Sequence, residues 1–187
     1  MKLPAEKIET AAPKYDVRRN LNGAYLNVET SELIVTDGRI LVKHTVELDA
    51  GDISGIIPLE AFAYARKMKA ERITTARAPT TDTHYGAEVL GAPTAYVNGA
   101  SNGSLFGASF PLIDGTYPDY TKVMPEPGEV TICLDLTLLD KIRKSLFERT
   151  GPTSKCVVSL QITDQNSSVR IETNDDNVAV IMPCRKM

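Results

Sequence analysis

Leu136-Thr137-Leu138-Leu139-Asp140-Lys141-Ile142-Arg143-Lys144-Ser145-Leu146-Phe147 returns a leucine, isoleucine or phenylalanine every three or four positions, the spacing of one buried helix face. Its neighbours keep a different period. Val130 to Asp135 alternates as a strand, and Gly151-Pro152 stops the helix. Three strand-like runs follow, Cys156 to Thr163, Ser168 to Thr173 and Val178 to Pro183. The polar stretches Asp164-Gln165-Asn166-Ser167 and Asn174-Asp175-Asp176-Asn177 separate them as hairpin turns. One strand, one helix and three strands predict an α+β fold of antiparallel sheets with helices on one face.

The same order recurs earlier, at a spacing of about 60 residues, which implies similar units that share cores. Gly55 to Pro58 reads as a short strand and Leu59 to Glu71 as a helix. Arg72 to Ala78, Ala87 to Val97 and Gly103 to Ile113 read as strands, with a loose loop near Pro79 to Tyr85. The first third has only the strand part: Val17 to Glu29 and Leu33 to Leu48, folding back at Thr36-Asp37-Gly38-Arg39. Residues 1 to 15, with Pro4 and Pro13, offer at most one short helix. Between the second and third parts runs Asp114-Gly115-Thr116-Tyr117-Pro118-Asp119-Tyr120-Thr121-Lys122-Val123-Met124-Pro125. Pro118 and Pro125 fix their own φ and push the preceding residue toward extended geometry, so this stretch is expected to cross the surface as a stiff strap.

The 187 residues, 42% hydrophobic and 24% charged, are enough to bury a real core in one or two domains. No apolar run is long enough for a membrane helix, and Met1-Lys2-Leu3-Pro4-Ala5-Glu6-Lys7 has no signal-peptide core, which predicts a cytoplasmic protein without membrane partners. Cys133, Cys156 and Cys184 are odd in number and set in apolar runs, so they are expected to be reduced and buried. A net charge of -3 excludes a chain that simply coats nucleic acid. Catalytic constellations are not evident. His44 and His84, the only histidines, have no metal-ligand partner at useful spacing. Asn98 to Ser104 lacks the Gly-Lys-Ser/Thr ending of a phosphate loop and reads as a hairpin turn. Asp164-Gln165-Asn166 lacks the glycine and final glutamate of a calcium loop. A non-enzyme without cofactors is expected.

Four segments resemble the bacterial DNA polymerase III beta subunit, the sliding clamp. Val17-Arg18-Arg19-Asn20-Leu21-Asn22-Gly23 followed by Leu33-Ile34-Val35-Thr36-Asp37-Gly38-Arg39-Ile40-Leu41 is similar to the central clamp domain's "LNG … TDGHRL" hairpin. Ile56-Ile57-Pro58 before the Leu59 helix resembles that domain's second half, Phe110 to Pro125 its "DGRFPDYRRVLP" exit, and Val180-Ile181-Met182-Pro183-Cys184-Arg185 the C-terminal "VVMPMR". A clamp subunit has three domains, each of two half-units; this chain matches about one and a half. Residues 1-125 correspond to the central domain with a reduced start, and residues 126-187 to the second half of the last. The usual dimeric ring is then not expected, and a ring would need a homo-oligomer of more copies.

The resemblance also implies two surfaces. In the family the matched segments gather around a hydrophobic pocket that takes short linear peptides from polymerases and repair proteins. Carried over by position, it comprises Leu21, Thr36, Gly38, Leu41, Pro118, Lys122, Val123, Val180, Met182, Pro183 and Arg185. Aliphatic walls and an adaptable methionine suit a partner's leucine and phenylalanine, each worth about 1.5–3 kcal/mol when buried. Ile40 stands where the family usually has arginine, and Lys122 replaces another. The second surface is basic: Arg66, Lys67, Lys69 and Arg72 on one helix, Lys141, Arg143, Lys144 and Arg149 on the other. Clamps line their channel this way to hold double-stranded DNA through its phosphates without reading sequence. Two readings stay open, a processivity factor that encircles DNA and an adaptor or decoy that binds partner peptides only.

Overall fold

Alternation in Glu32-Leu33-Ile34-Val35-Thr36 sends Leu33 and Val35 to one face of a strand and Ile34 to the other, and all three are fully buried. A strand apolar on both faces needs a cover on each, and the first part of the chain supplies both. The computed structural model describes residues 1–13, 15–78, 91–101, 104–125, 128, 131–146, 157–173 and 177–184. They form two compact units, Met1–Val123 and Met124–Met187.

In the first unit, β1 (Gly23–Asn27), β2 (Glu32–Thr36), β3 (Leu41–Thr45) and β4 (Gly55–Pro58) make an antiparallel sheet in the order β3-β2-β1-β4. The β2–β3 turn falls at Asp37-Gly38 as expected. Gly38 has φ +85, a conformation that a side chain disfavours, and the Asp37 carboxylate accepts the amides of Arg39 (2.8 Å) and Ile40 (2.9 Å). Thr36 locks the turn from within: its Oγ1 donates to the Ile40 carbonyl (2.6 Å) and accepts the Gly38 amide (3.0 Å). Upstream, the expected strand from Val17 to Glu29 starts only at Gly23. The Asn22 side chain accepts the Asp16 amide (2.7 Å) and donates to the Asp16 carbonyl (2.9 Å), which closes residues 16–22 into a loop with a 3-10 turn at Arg19–Leu21.

Helix α1 (Leu59–Met68) leaves β4 directly and buries Ala61, Phe62 and Ala65 against Leu26, Leu33, Val35, Ile57 and Ile73. It ends earlier than the expected Glu71, because Lys69 turns left-handed (φ 55) and its amide caps the carbonyls of Ala65 and Arg66. A second sheet, β5 (Thr74–Arg77), β6 (Pro93–Ser101) and β7 (Ser104–Pro111), pairs antiparallel in that order and contributes Ala95 and Val97 to the same core. The Pro79 to Tyr85 loop and His84 lie outside the described residues.

The N-terminal segment fastens to this unit through long-range bonds. The Lys2 amide reaches the Glu47 carbonyl (2.7 Å), the Leu3 amide the Glu71 carbonyl (2.8 Å), and Ile8–Ala11 forms a single 3-10 turn.

The second unit contains α2 (Leu136–Leu146), β8 (Val158–Gln161), β9 (Val169–Thr173) and β10 (Val178–Ile181), with antiparallel sheet order β10-β9-β8. Asp135 caps α2 by accepting the Thr137 amide at 2.7 Å. Val169, Ile171 and Ile181 form the buried centre, with Ile132, Leu134, Leu139, Ile142 and Ala179 packed on it. The expected strand before the helix is not formed over residues 131–135, where the Cys133 carbonyl accepts the Cys184 amide (2.9 Å) and the Asp135 carbonyl accepts the amides of Leu138 and Leu139 in the first turn of α2. The cysteines also differ from the expectation of burial: Cys133 is half-buried and Cys184 exposed, both as free thiols, and Cys156 lies outside the described residues. Asp164 does make a turn, accepting the amides of Asn166 (2.7 Å) and Ser167 (2.8 Å). The turn at 174–176 and the Gly151-Pro152 stop lie outside the described residues.

Two substitutions test this packing by urea unfolding. Phe62→Ala is expected to destabilise the first unit by about 3–5 kcal/mol, since the ring is fully buried. Lys69→Gly is expected to stabilise it by about 0.5–1 kcal/mol by relieving the left-handed lysine.

Candidate functional site

The outer face of β2 is covered by the strap. Tyr117 stacks on Tyr25 with ring centroids 5.2 Å apart and planes at 12°, and it packs with Ile34 and Ile56. Its hydroxyl is buried and has no hydrogen-bond partner among the described residues. Burial pushes the phenol up to about 12, and the nearby Thr36 backbone tempers the rise without closing a hydrogen bond. Further along, the Tyr120 hydroxyl donates to the Glu32 carboxylate (3.2 Å) and accepts from the Asn27 amide group (3.2 Å). Glu32 is held below the usual carboxylate range by Lys43, 2.7 Å away, then by Thr30 and Tyr120. Before the strap, the Ile113 amide bonds the Ile56 carbonyl (2.8 Å), and at its start the Asn20 side chain bonds the Thr116 carbonyl (2.7 Å). The strap is therefore pinned at several points.

Between the pinned strap and the β2–β3 turn lies a cavity of about 470 Å³. Leu21, Thr36, Gly38, Leu41, Pro118 and Val123 line it, which brings together every first-unit residue named for the peptide pocket except Lys122. Lys122 is exposed and pairs with Asp119 at 3.1 Å. Arg18, Arg39, Asp119 and Tyr120, which were not named from the sequence, complete the wall together with Ile40, noted there only as standing where the family usually has arginine. Their adjacency to named residues, in Val17-Arg18 and Gly38-Arg39-Ile40-Leu41, was the available signal. Leu21 is fully buried and serves as floor, whereas Ile40 and Val123 are exposed at the mouth.

Charge at this cavity is partly neutralised in place. Arg18 clamps Asp16 through Nε (3.0 Å) and Nη2 (2.8 Å), and its guanidinium and amide hold the Asp16 carboxyl down to about 2. The guanidinium also lies over Gly38, where an added Cβ would meet Nη2 at 3.2 Å. Asp37 is held low by the Ile40 and Arg39 amides, and Asp119 by Thr121 and then Lys122.

In the second unit Val180 and Met182 are exposed and Pro183 is half-buried; Arg185 lies outside the described residues.

The basic residues named for DNA contact divide into two groups. Arg66 is tied to the N-terminal segment through the Pro4 carbonyl (2.6 Å), the Glu6 carbonyl (2.8 Å) and the Glu9 carboxylate (3.1 Å). Arg72 pairs with Asp49 (2.7 Å) and Glu47 (3.0 Å). Those two arginines are structural ties, because residues far from them in sequence fold back onto their guanidinium groups. Lys67 and Lys69 have no ion pair among the described residues, Arg143 and Lys144 share Asp140, and Arg149 lies outside the described residues. No group of three or more His, Cys, Asp or Glu among the described residues is placed to hold a metal, and no helix among them is long and apolar enough to cross a membrane.

Solved structures share this architecture, which is the DNA clamp fold. More particularly, it is the fold of the bacterial DNA polymerase III beta subunit, the sliding clamp. The Caulobacter crescentus beta sliding clamp matches over 93% of this chain and 45% of its own, with 20% identity and a TM-score of 0.60. The Bacillus subtilis DNA polymerase sliding clamp matches over 94% and 44%, with 19% identity and 0.61. The beta subunit from the DNA polymerase of Streptococcus pyogenes matches over 95% and 46%, with 14% identity and 0.64. The chain thus spans less than half the length of these subunits. No protein-family model and no curated protein matches the sequence.

Two measurements check the geometry. Asp16 is expected to titrate near 2 by NMR. Its lowered carboxyl means that the Arg18 clamp is intact above the ordinary value of 3.8 and is lost as pH falls toward 2; a midpoint at 3.8 would mean that no clamp exists. Tyr117→Phe is expected to leave urea stability unchanged or raise it by up to ~1 kcal/mol, because it removes a desolvated, unpaired hydroxyl and keeps the stacked ring.

Proposed function

We propose that this chain is a sliding-clamp-like processivity factor of DNA replication in the cytoplasm, which takes short linear peptide motifs of polymerase and repair proteins and holds double-stranded DNA without reading its sequence. The observation that carries this reading is the cavity between the strap and the β2–β3 turn, where Leu21, Thr36, Gly38, Leu41, Pro118 and Val123 converge. Its character suits the role: an apolar floor, aliphatic groups at the mouth and a rigid wall, so little ordering entropy opposes binding. Val180, Met182, Pro183 and Arg185 are proposed as peptide contacts of the second unit. In this reading residues 1-125 act as the central clamp domain and residues 126-187 as the second half of the last, with a homo-oligomer closing around DNA. Catalysis and cofactors have no part in it.

For DNA, the reading rests on the cations that the fold leaves toward solvent. Lys67 on α1, Lys69 just past its end, and Lys141 and Lys144 on α2 are the proposed phosphate contacts; Arg66 and Arg72 are not retained in that role. Such contacts alone give weak, salt-sensitive binding, typically ~10⁻⁴ to 10⁻⁶ M, so retention depends on topological closure.

Fluorescence anisotropy with a labelled peptide carrying adjacent leucine and phenylalanine tests the pocket. Val123→Asp is expected to weaken binding at least ~10-fold, about 1.4 kcal/mol, without lowering the melting temperature, because Val123 lines the cavity yet is 69% exposed. Absence of peptide binding by the unaltered chain overturns the reading. Changing Lys67, Lys69, Lys141 and Lys144 together to Glu is expected to abolish retention on circular DNA while leaving peptide affinity unchanged. Peptide binding with no DNA retention by the unaltered chain would favour the adaptor.

A further inference from the structure

Cys133 and Cys184 stand 51 residues apart in sequence and meet in the second unit, one in the segment before α2 and the other in the segment after β10. The Cys184 amide donates to the Cys133 carbonyl at 2.9 Å, and the Cys184 thiol donates to the same oxygen at 3.4 Å. The second contact matters because it fixes direction: the Cys184 side chain lies back across residue 133 instead of pointing away from it. A single N–H···O=C bond of 2.9 Å joins the two residues through one N–Cα, one C=O and one Cα–C bond, which holds their Cα atoms roughly 5–6.5 Å apart, inside the span of a disulfide. The two thiols also differ in access. Cys184 is exposed and open to a reagent, while Cys133 is half-buried and better placed to attack a neighbouring sulfur than a molecule in solution.

We infer that Cys133 and Cys184 are a redox modification site at which a low-molecular-weight disulfide such as oxidised glutathione is reduced and an intramolecular Cys133–Cys184 disulfide is formed. In the first step the Cys184 thiolate attacks one sulfur of glutathione disulfide. The S–S bond breaks, a mixed disulfide forms on Cys184, and one glutathione leaves as thiolate and takes up a proton. In the second step the Cys133 thiolate attacks Sγ of Cys184 and expels the second glutathione, also as a thiol. Two protein thiols are oxidised, one external disulfide is reduced, and two protons pass to the leaving thiols. The product ties the segment after β10 to the segment before α2. It closes a long loop around a small core, where a cross-link restricts the unfolded chain most.

The test treats the folded full-length chain with oxidised glutathione, traps remaining thiols by alkylation in acid and maps the peptides by mass spectrometry. The expected result is a monomer that has lost two of its three thiols, with Cys133 and Cys184 in one cross-linked peptide and the melting midpoint of the second unit raised by at least ~5 °C. Cys133→Ser is expected to stop at glutathione on Cys184, and Cys184→Ser to form no cross-link at residue 133. The inference is overturned if the unaltered chain keeps glutathione on Cys184 while Cys133 stays alkylatable, or if either residue links to Cys156 or to a second molecule. Mapping of the unaltered chain decides the matter even if a serine variant fails to fold.

Discussion

The first unit rests on β2 being covered on both faces. Leu33 and Val35 face the core under α1, and Ile34 faces Tyr117 and Ile56. A strand with both faces apolar cannot lie at a solvent-facing sheet surface without large exposure of hydrocarbon, so the strap over Ile34 is part of the fold rather than an appended loop. The parallel stacking of Tyr117 on Tyr25 closes that cover, and Tyr120 fixes the next turn through Glu32 and Asn27. This wall faces a turn locked by Thr36 and Asp37, and the cavity lies between them.

Electrostatics in this chain follow the folding topology more than the local sequence. Arg66 and Arg72 belong to the same basic stretch as Lys67 and Lys69, but their guanidinium groups meet carboxylates and carbonyls brought from the N-terminal segment and from residues 47 and 49. Arginine's planar fork accepts several such partners at once, whereas the lysine ammonium groups stay in solvent. At the cavity the division does not follow residue type: Arg18 pairs with Asp16 and Lys122 with Asp119, and Arg39 has no ion pair among the described residues.

The second unit has a different balance. Its buried centre is Val169, Ile171 and Ile181, and the inward residues of edge strand β8 remain open, Val158 and Leu160 among them. With three buried apolar side chains at its centre among the described residues, backbone ties gain weight. The bond between Cys184 and Cys133 is one of them, and it positions the segment that carries Met182 and Pro183.

Local periodicity determined the elements. The period-2 runs gave the strands of both sheets in the first unit and of the sheet in the second, the 3.6-residue spacing gave α1 and α2, and Asp37-Gly38 gave the β2–β3 turn. These signals lie within a few residues of one another, so the sequence alone could carry them. It also carried most of the cavity, from Leu21 to Val123, through likeness to clamp segments. It did not carry the late start of β1, the missing strand before α2, the early end of α1 at Lys69 or the exposure of Cys184. Nor did it carry the fate of Arg66 and Lys122. The fates of Arg66 and Cys184 were decided by tertiary structure, because their partners are far off in sequence: Glu9 lies 57 residues from Arg66, and Cys184 lies 51 from Cys133. The start of β1, the end of α1 and the pairing of Lys122 turn instead on near neighbours, Asn22 with Asp16, Lys69 with Ala65 and Arg66, and Lys122 with Asp119, through side-chain and capping bonds that hydrophobic periodicity does not report.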